Sequence, residues 1–197
     1  MPARARLALM VAATLALLGA TGFVVLSDPG PKDAGGPGFE GAVRPAIPPQ
    51  DFTLRDQDGK LVRLSDFRGR PIVLTFMYST CRDTCPLTAQ QIKGALDDLG
   101  HDVPSLAVSV DPAQDTPARA RLFLMRQGLA GRMRFLLGDR AQLEPIWKAY
   151  GIAPQGDAFD HSAYVLLIDR QGRQRVGWPV ERLFPEGLAH DLRRLGA

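Results

Sequence analysis

Cysteine is nearly absent from this chain: Cys81 and Cys85 are the only two among 197 residues. A disulfide framework is therefore excluded, and a bridge between positions so close would barely constrain the unfolded chain. Histidine is almost as scarce, with His101, His161 and His190 alone. Charge of one sign is lacking too, since 24 Lys and Arg face 21 Asp and Glu. With no basic stripe interleaved with aromatics, nucleic-acid binding is not expected. What remains, 45% hydrophobic and 23% charged residues, is the composition of an ordinary globular protein.

Two local features depart from that average. Residues 7–26 form an apolar run of 20 positions with no charge and no proline, and at about 1.5 Å per helical residue such a run covers the roughly 30 Å of a bilayer's hydrocarbon core. Arg4 and Arg6 precede it and no Lys or Arg follows until Lys32, so the positive-inside bias predicts a cytoplasmic N-terminus. The expectation is an N-terminal transmembrane helix, an anchor over residues 1–27 in a bacterial-type inner membrane, with the rest of the chain in the periplasm. A cleaved signal peptide is the alternative, because Ala20 and Gly22 make a small-x-small site, but the run continues through Phe23-Val24-Val25-Leu26. No cysteine closely follows, which excludes a lipoprotein. Residues 28–50 hold six Pro and five Gly, too few apolar side chains to bury and too many breakers for a helix, and read as a tether.

Residues 51–197 change character, with short apolar runs separated by turns and helical segments. Phe52-Thr53-Leu54 and Leu61-Val62-Arg63-Leu64 flank Asp56-Gln57-Asp58-Gly59, the pattern of a hairpin. Ile72 to Tyr78 is a β-branched and aromatic run and predicts a buried central strand. It leads into Ser79-Thr80-Cys81-Arg82-Asp83-Thr84-Cys85-Pro86, after which Leu87, Ile92, Leu96 and Leu99 recur at helical spacing. Strands are predicted at 106–110, 133–137, 164–168 and 175–178. Helices are predicted from Pro117 to about Gln127, with Thr116 or Asp115 as cap, from Gln142 to Tyr150, and from Pro185 to Leu195. Met77, Met125, Met133, Trp147 and Trp178 are read as packing residues. Alternating strands and helices predict an α/β domain, a central mixed β-sheet flanked by helices in the thioredoxin-like layout.

In that layout the two cysteines sit where a central strand ends and a helix begins, beside unpaired backbone N–H groups and the positive end of the helix dipole, both of which favour thiolate. Such a pair can close a disulfide or converge on one metal ion, and the two uses exclude each other. Thiolates select soft ions, but two do not fill a coordination sphere. His161, in Asp160-His161-Ser162 just before the strand at 164, is placed to reach the cysteine loop from the neighbouring strand.

The blocks Phe76-Met77-Tyr78-Ser79-Thr80-Cys81-Arg82-Asp83-Thr84-Cys85-Pro86, Ser109-Val110-Asp111-Pro112 through Asp115-Thr116-Pro117, and Asp160-His161-Ser162 leading to Tyr164 and Asp169 resemble the Sco/SenC family of membrane-tethered copper proteins. The resemblance runs from about Phe52 onward, with three blocks in the family's order and a three-residue cysteine spacer. It implies that Cys81, Cys85 and His161 ligate one copper ion, as Cu(I), with Cu(II) left open. It also implies delivery of that copper to the copper A site of cytochrome c oxidase during assembly. The implied partners are the oxidase's copper-bearing subunit, a copper donor protein, a thioredoxin-like reductant, and the membrane through the N-terminal helix. Two departures stand out: Arg82 occupies a place where the family usually has proline, and Trp178-Pro179-Val180-Glu181 matches only loosely.

The main rival is a thiol–disulfide oxidoreductase using Cys81 and Cys85 as a redox pair. Reductases of this fold usually have a two-residue spacer and resemble one another in a proline just before the later strand, and none occurs between Gln155 and Gly172. A thiol peroxidase pattern aligned on Cys81 would need proline at Leu74 and threonine at Tyr78. A structural zinc site would normally want four protein ligands. A redox sensor is the remaining reading.

Overall fold

The computed structural model describes residues 38–48, 50–152 and 164–197. The expected membrane span, residues 28–37 and 49 of the expected tether, and His161 lie outside those residues. Among the described residues no helix is long and apolar enough to cross a membrane.

The described elements are β1 (Ala42–Ile47), β2 (Thr53–Asp56), β3 (Leu61–Arg63), β4 (Ile72–Met77), α1 (Thr84–Leu99), β5 (Ser105–Ser109), α2 (Pro117–Arg126), β6 (Met133–Leu137), α3 (Arg140–Tyr150), β7 (Tyr164–Ile168), β8 (Gln174–Pro179) and α4 (Pro185–Arg194). The strands form one mixed sheet in the order β1-β8-β7-β4-β5-β6-β2-β3. β4, β5 and β6 run parallel, as βαβ crossovers through α1 and α2 require. The outer strands are antiparallel. Mixed sheet and flanking helices make the thioredoxin-like α/β architecture.

β4 shows how the sequence builds two cores from one strand. Its side chains alternate across the sheet: Val73 and Met77 pack with Ala89, Ile92 and Leu96 of α1 and Leu188 of α4, while Ile72, Leu74 and Phe76 pack with Leu143, Ile146 and Trp147 of α3. Thr75, also buried, donates its Oγ1 hydrogen to the Tyr164 carbonyl across the β4–β7 boundary at 3.3 Å. A strand buried on both faces reads as a continuous apolar run, which is why β4 stood out in the sequence.

Three expectations need correction. Residues 42–47, read as tether, form β1 and pair with β8. Its Pro45 is tolerated because β1 is an edge strand and the proline falls in the irregular stretch of its pairing, between Val43 and Ile47. Just ahead of it, the fully buried carboxylate of Asp191 on α4 accepts the backbone N–H of Glu40 at 2.8 Å and of Gly41 at 2.9 Å. Gly41 is required there, since a Cβ would lie 2.5 Å from the Trp178 ring nitrogen. The second correction is Met125, read as core but 62% exposed. At 100° per residue it turns outward once Phe123 and Leu124 face in. Leu87 is likewise exposed, because the inward stripe of α1 runs through Cys85, Ala89, Ile92 and Leu96.

Candidate metal centre

β4 ends at Met77, Cys81 stands four residues on, and α1 begins three residues later at Thr84. The residue that caps α1, Asp83, makes no side-chain cap hydrogen bond. The Cys81 sulfur fills that role, accepting the N–H of Cys85 at 3.2 Å, one of the N–H groups a helix start leaves unpaired. Pro86, third in the helix, lacks an N–H where none is needed. Both cysteines are free thiols, Cys81 partly buried and Cys85 buried.

This geometry splits the two sulfurs chemically. The hydrogen bond from the Cys85 thiol, ahead of the Cys85 and Asp83 backbone N–H groups and the Tyr78 hydroxyl, holds Cys81 down at about 5 against the opposing push of burial. Cys85 is pushed up, first by donating to Cys81 and then by burial. Burial and the hydrogen bond to Cys81 push Tyr78 up to about 12. One sulfur is thus a ready thiolate at neutral pH, with a thiol beside it. Arg82, between them, is exposed, and the lowering of Cys81 comes chiefly from hydrogen bonds.

The sign of this shift sets a pH test. An acid whose folded pKa is lowered is ionised above that value, so the thiolate persists down to about pH 5. Alkylation of the reduced chain by iodoacetamide is expected to label Cys81 first, with a rate that is half-maximal near pH 5 and flat above 7. An unperturbed thiol would give its midpoint at about 8.5. A midpoint near 8.5 for Cys81 would refute the arrangement.

A third group shapes the loop, and sequence reasoning passed over it. Asp115 is 9% exposed, and its Oδ1 accepts both the backbone N–H of Ser79 at 2.7 Å and the Ser79 hydroxyl at 2.5 Å. Its Oδ2 accepts the Ser109 hydroxyl at 2.5 Å. Burial pushes its carboxyl up, against the pull of those hydrogen bonds. The sequence offered Asp115 and Thr116 as rival caps. The structure gives the cap to Thr116, whose Oγ1 accepts the Arg119 N–H at 3.3 Å. A second potential cap beside a sufficient one was the signal available.

Of the residues singled out in the sequence, Cys81 and Cys85 come together, while His161 lies outside the described residues. His101 follows the far end of α1, which at 16 residues is about 24 Å long. The Nδ1 of His190 lies 3.1 Å from Asp191 Oδ1. Among the described residues no group of three or more His, Cys, Asp and Glu side chains is arranged to hold a metal ion. The two thiols are the part of such a centre that is described, and their donor chemistry fits a soft ion.

A thioredoxin-like domain with two free thiols around the N-terminus of the helix after its central strand defines a class of dithiol proteins, able to take a soft metal or to close a disulfide. The SCO1/SenC family model matches residues 44–196, and the chain belongs to that family. Among relatives, protein SenC of Rhodobacter capsulatus is 35% identical over 130 residues, 60% of this chain and 57% of its own length. The SCO2-like protein of Rickettsia prowazekii is 25% identical over 134 residues, covering 62% and 64%. The chain thus spans less than two thirds of these relatives. Among solved structures, Bradyrhizobium japonicum ScoI with copper bound matches at a TM-score of 0.64 and 31% identity, covering 76% of this chain and 99% of that one. Apo Sco1 from Thermus thermophilus matches at a TM-score of 0.66 and 25% identity, covering 80% and 96%.

Proposed function

We infer that this chain is a membrane-tethered copper chaperone that takes one copper ion through Cys81, Cys85 and His161 and passes it to the copper A site of cytochrome c oxidase. The observation that carries the reading is the sulfur pair itself: two free thiols at one helix N-terminus, one of them already held as thiolate. Thiolates suit Cu(I) and dispense with hard ligands. Because Cys81 is ionised above about pH 5 and Cys85 is not, copper uptake near neutrality has one thiol proton to expel.

The third ligand belongs to the segment leading into β7. Thr75 of β4 pairs with Val165 of β7, so Tyr164 stands at the sheet end where β4 gives way to the cysteine loop. His161 is three residues before Tyr164, a reach of at most about 11 Å. With His101 and His190 placed elsewhere, His161 is the imidazole available. The related ScoI structure holds copper, and the related BsSco is described as a member of the Sco family of cytochrome c oxidase assembly proteins. A centre with two thiolates and one imidazole leaves copper with few ligands, so a recipient's ligands can enter before the donor's leave. The oxidase's copper-bearing subunit is the recipient. A donor protein loads the copper, and a thioredoxin-like reductant restores the thiols, which oxidise outside the cytoplasm. Residues 1–27 anchor the chain and keep the domain on the periplasmic side.

Titration of the reduced chain with Cu(I) against a competing chelator tests this. One tightly held copper per chain is expected, loosened at least about tenfold in His161→Ala. Binding without stoichiometry, or indifferent to His161, would overturn the ligand set. A nucleophilic Cys81 beside a thiol is also the arrangement of a thiol–disulfide oxidoreductase acting on cysteines of the oxidase or other extracytoplasmic proteins. Weak copper binding combined with catalysed dithiol exchange would favour that reading.

A further inference from the structure

We propose that Asp115 is a positioning residue for the sulfur pair: by clasping Ser79 it fixes the loop that presents Cys81 to the metal. This rests on the copper reading above and deepens it. Between the end of β4 and the start of α1, the backbone bonds of the loop are local, such as Cys81 N–H to the Tyr78 carbonyl at 3.3 Å. Among the described residues, the hydrogen bonds that tie the Tyr78–Asp83 stretch to distant sequence are the two from Ser79 to Asp115, across 36 positions. Ser79 is two residues before Cys81.

Asp115 is itself held rigidly. Its N–H donates to the Asp111 carbonyl at 2.9 Å, and Thr116 beside it caps α2. Its second oxygen is occupied by Ser109, whose Oγ also accepts the Asp111 N–H at 3.2 Å and whose carbonyl accepts the Trp147 ring N–H at 2.9 Å. The clasp therefore ties the cysteine loop to β5, α2 and α3 together. A buried carboxylate is a costly way to stabilise a fold, since apolar packing would do as well or better. Its placement at the root of a ligand loop gives that cost a use, because a metal ligand's supporting partners set its orientation and commonly matter 10–100-fold in affinity.

The connectivity and not the charge is what the loop needs. In Asp115→Asn the amide oxygen still accepts both Ser79 donors, and the amide nitrogen can donate to the Ser109 hydroxyl, which accepts as readily as it donates. The test compares full-length reduced wild type, Asp115→Asn, Asp115→Ala and Ser79→Ala, reading Cu(I) affinity by chelator competition and, without copper, amide hydrogen exchange. Asp115→Asn is expected within about threefold of wild type, Asp115→Ala loosened by about 10–100-fold, and Ser79→Ala in between. In Asp115→Ala, exchange at the Ser79 amide is expected to speed up at least about tenfold while the amides of β7 keep their protection. Affinity within threefold of wild type in a folded Asp115→Ala would overturn the proposal, as would Asp115→Asn as weak as Asp115→Ala. Uniformly faster exchange across β4 and β7 would reduce Asp115 to a general stabiliser and overturn it too. If Asp115→Ala does not fold, unchanged affinity in Ser79→Ala overturns the proposal and loosened affinity supports it. If wild type binds no copper, the copper reading falls alone and the exchange pattern decides the clasp.

Discussion

Cys85→Ala is expected to abolish tight Cu(I) binding, loosening it more than about 1,000-fold, equivalent to about 4 kcal/mol, while the chain stays folded. Cys85 is buried against α1 and the sheet, so alanine there leaves only a sulfur-sized gap and forfeits one weak bond from the Tyr78 backbone N–H to the sulfur. The remaining Cys81 thiolate with one imidazole cannot enclose a soft ion as two sulfurs do. Cys81→Ala is expected to lose copper to the same degree for a different structural reason. It removes the sulfur that accepts the Cys85 N–H at 3.2 Å, so the start of α1 also loses its cap, at a cost of about 0.5–2 kcal/mol. Chelator competition and thermal melts on both variants separate the two effects. Stoichiometric, tight copper in either folded variant would refute the sulfur pair as the site.

The largest stability loss is expected at a residue that never touches the sulfurs. Trp147 on α3 is 2% exposed, and its ring N–H donates to the Ser109 carbonyl at 2.9 Å. Trp147→Ala removes the largest side chain of the α3 core and leaves a buried carbonyl without its donor, a loss of about 3–5 kcal/mol. For a domain of this size each kcal/mol lowers Tm by roughly 2–4 °C, so a fall of about 6–20 °C should appear in a thermal melt. Trp147→Phe keeps most of the packing and forfeits the hydrogen bond, and should lose about 1–3 kcal/mol. An alanine variant melting within 2 °C of wild type would show that α3 contributes little to holding β5, and would weaken the view that β5 and α3 form a stiff support behind the cysteine loop.

Much of this was legible in the chain because its signals are local. The Asp56 to Gly59 turn falls between two short strands as expected, with Gly59 at a φ of +78°. Pro117 follows a real cap at Thr116, and α4 begins at Pro185. Trp147 and Trp178 do pack, but both ring N–H groups also find buried acceptors, the Ser109 carbonyl and Asp191, which periodicity cannot express. β1 escaped because its proline and glycine content is that of a tether, and only pairing with β8 makes a strand of it. Met125 and Leu87 were misjudged because an apolar residue at roughly helical spacing is turned in or out by which stripe the neighbouring helices cover.

The sequence by itself determined the element order from β2 onward, the α/β class, the position of two cysteines at a strand-to-helix junction, and the resemblance of three motif blocks to one family. Each of these is set by spacing along the chain, by caps and by side-chain alternation. Only the tertiary structure decided which sulfur holds the proton, because that depends on a hydrogen bond between them and on unequal burial. Only the tertiary structure showed that Asp115, 36 positions away, clasps Ser79 at the base of the cysteine loop. Contacts between residues far apart in sequence arise when β4 and β5 lie side by side, and no local pattern encodes which side chains then meet.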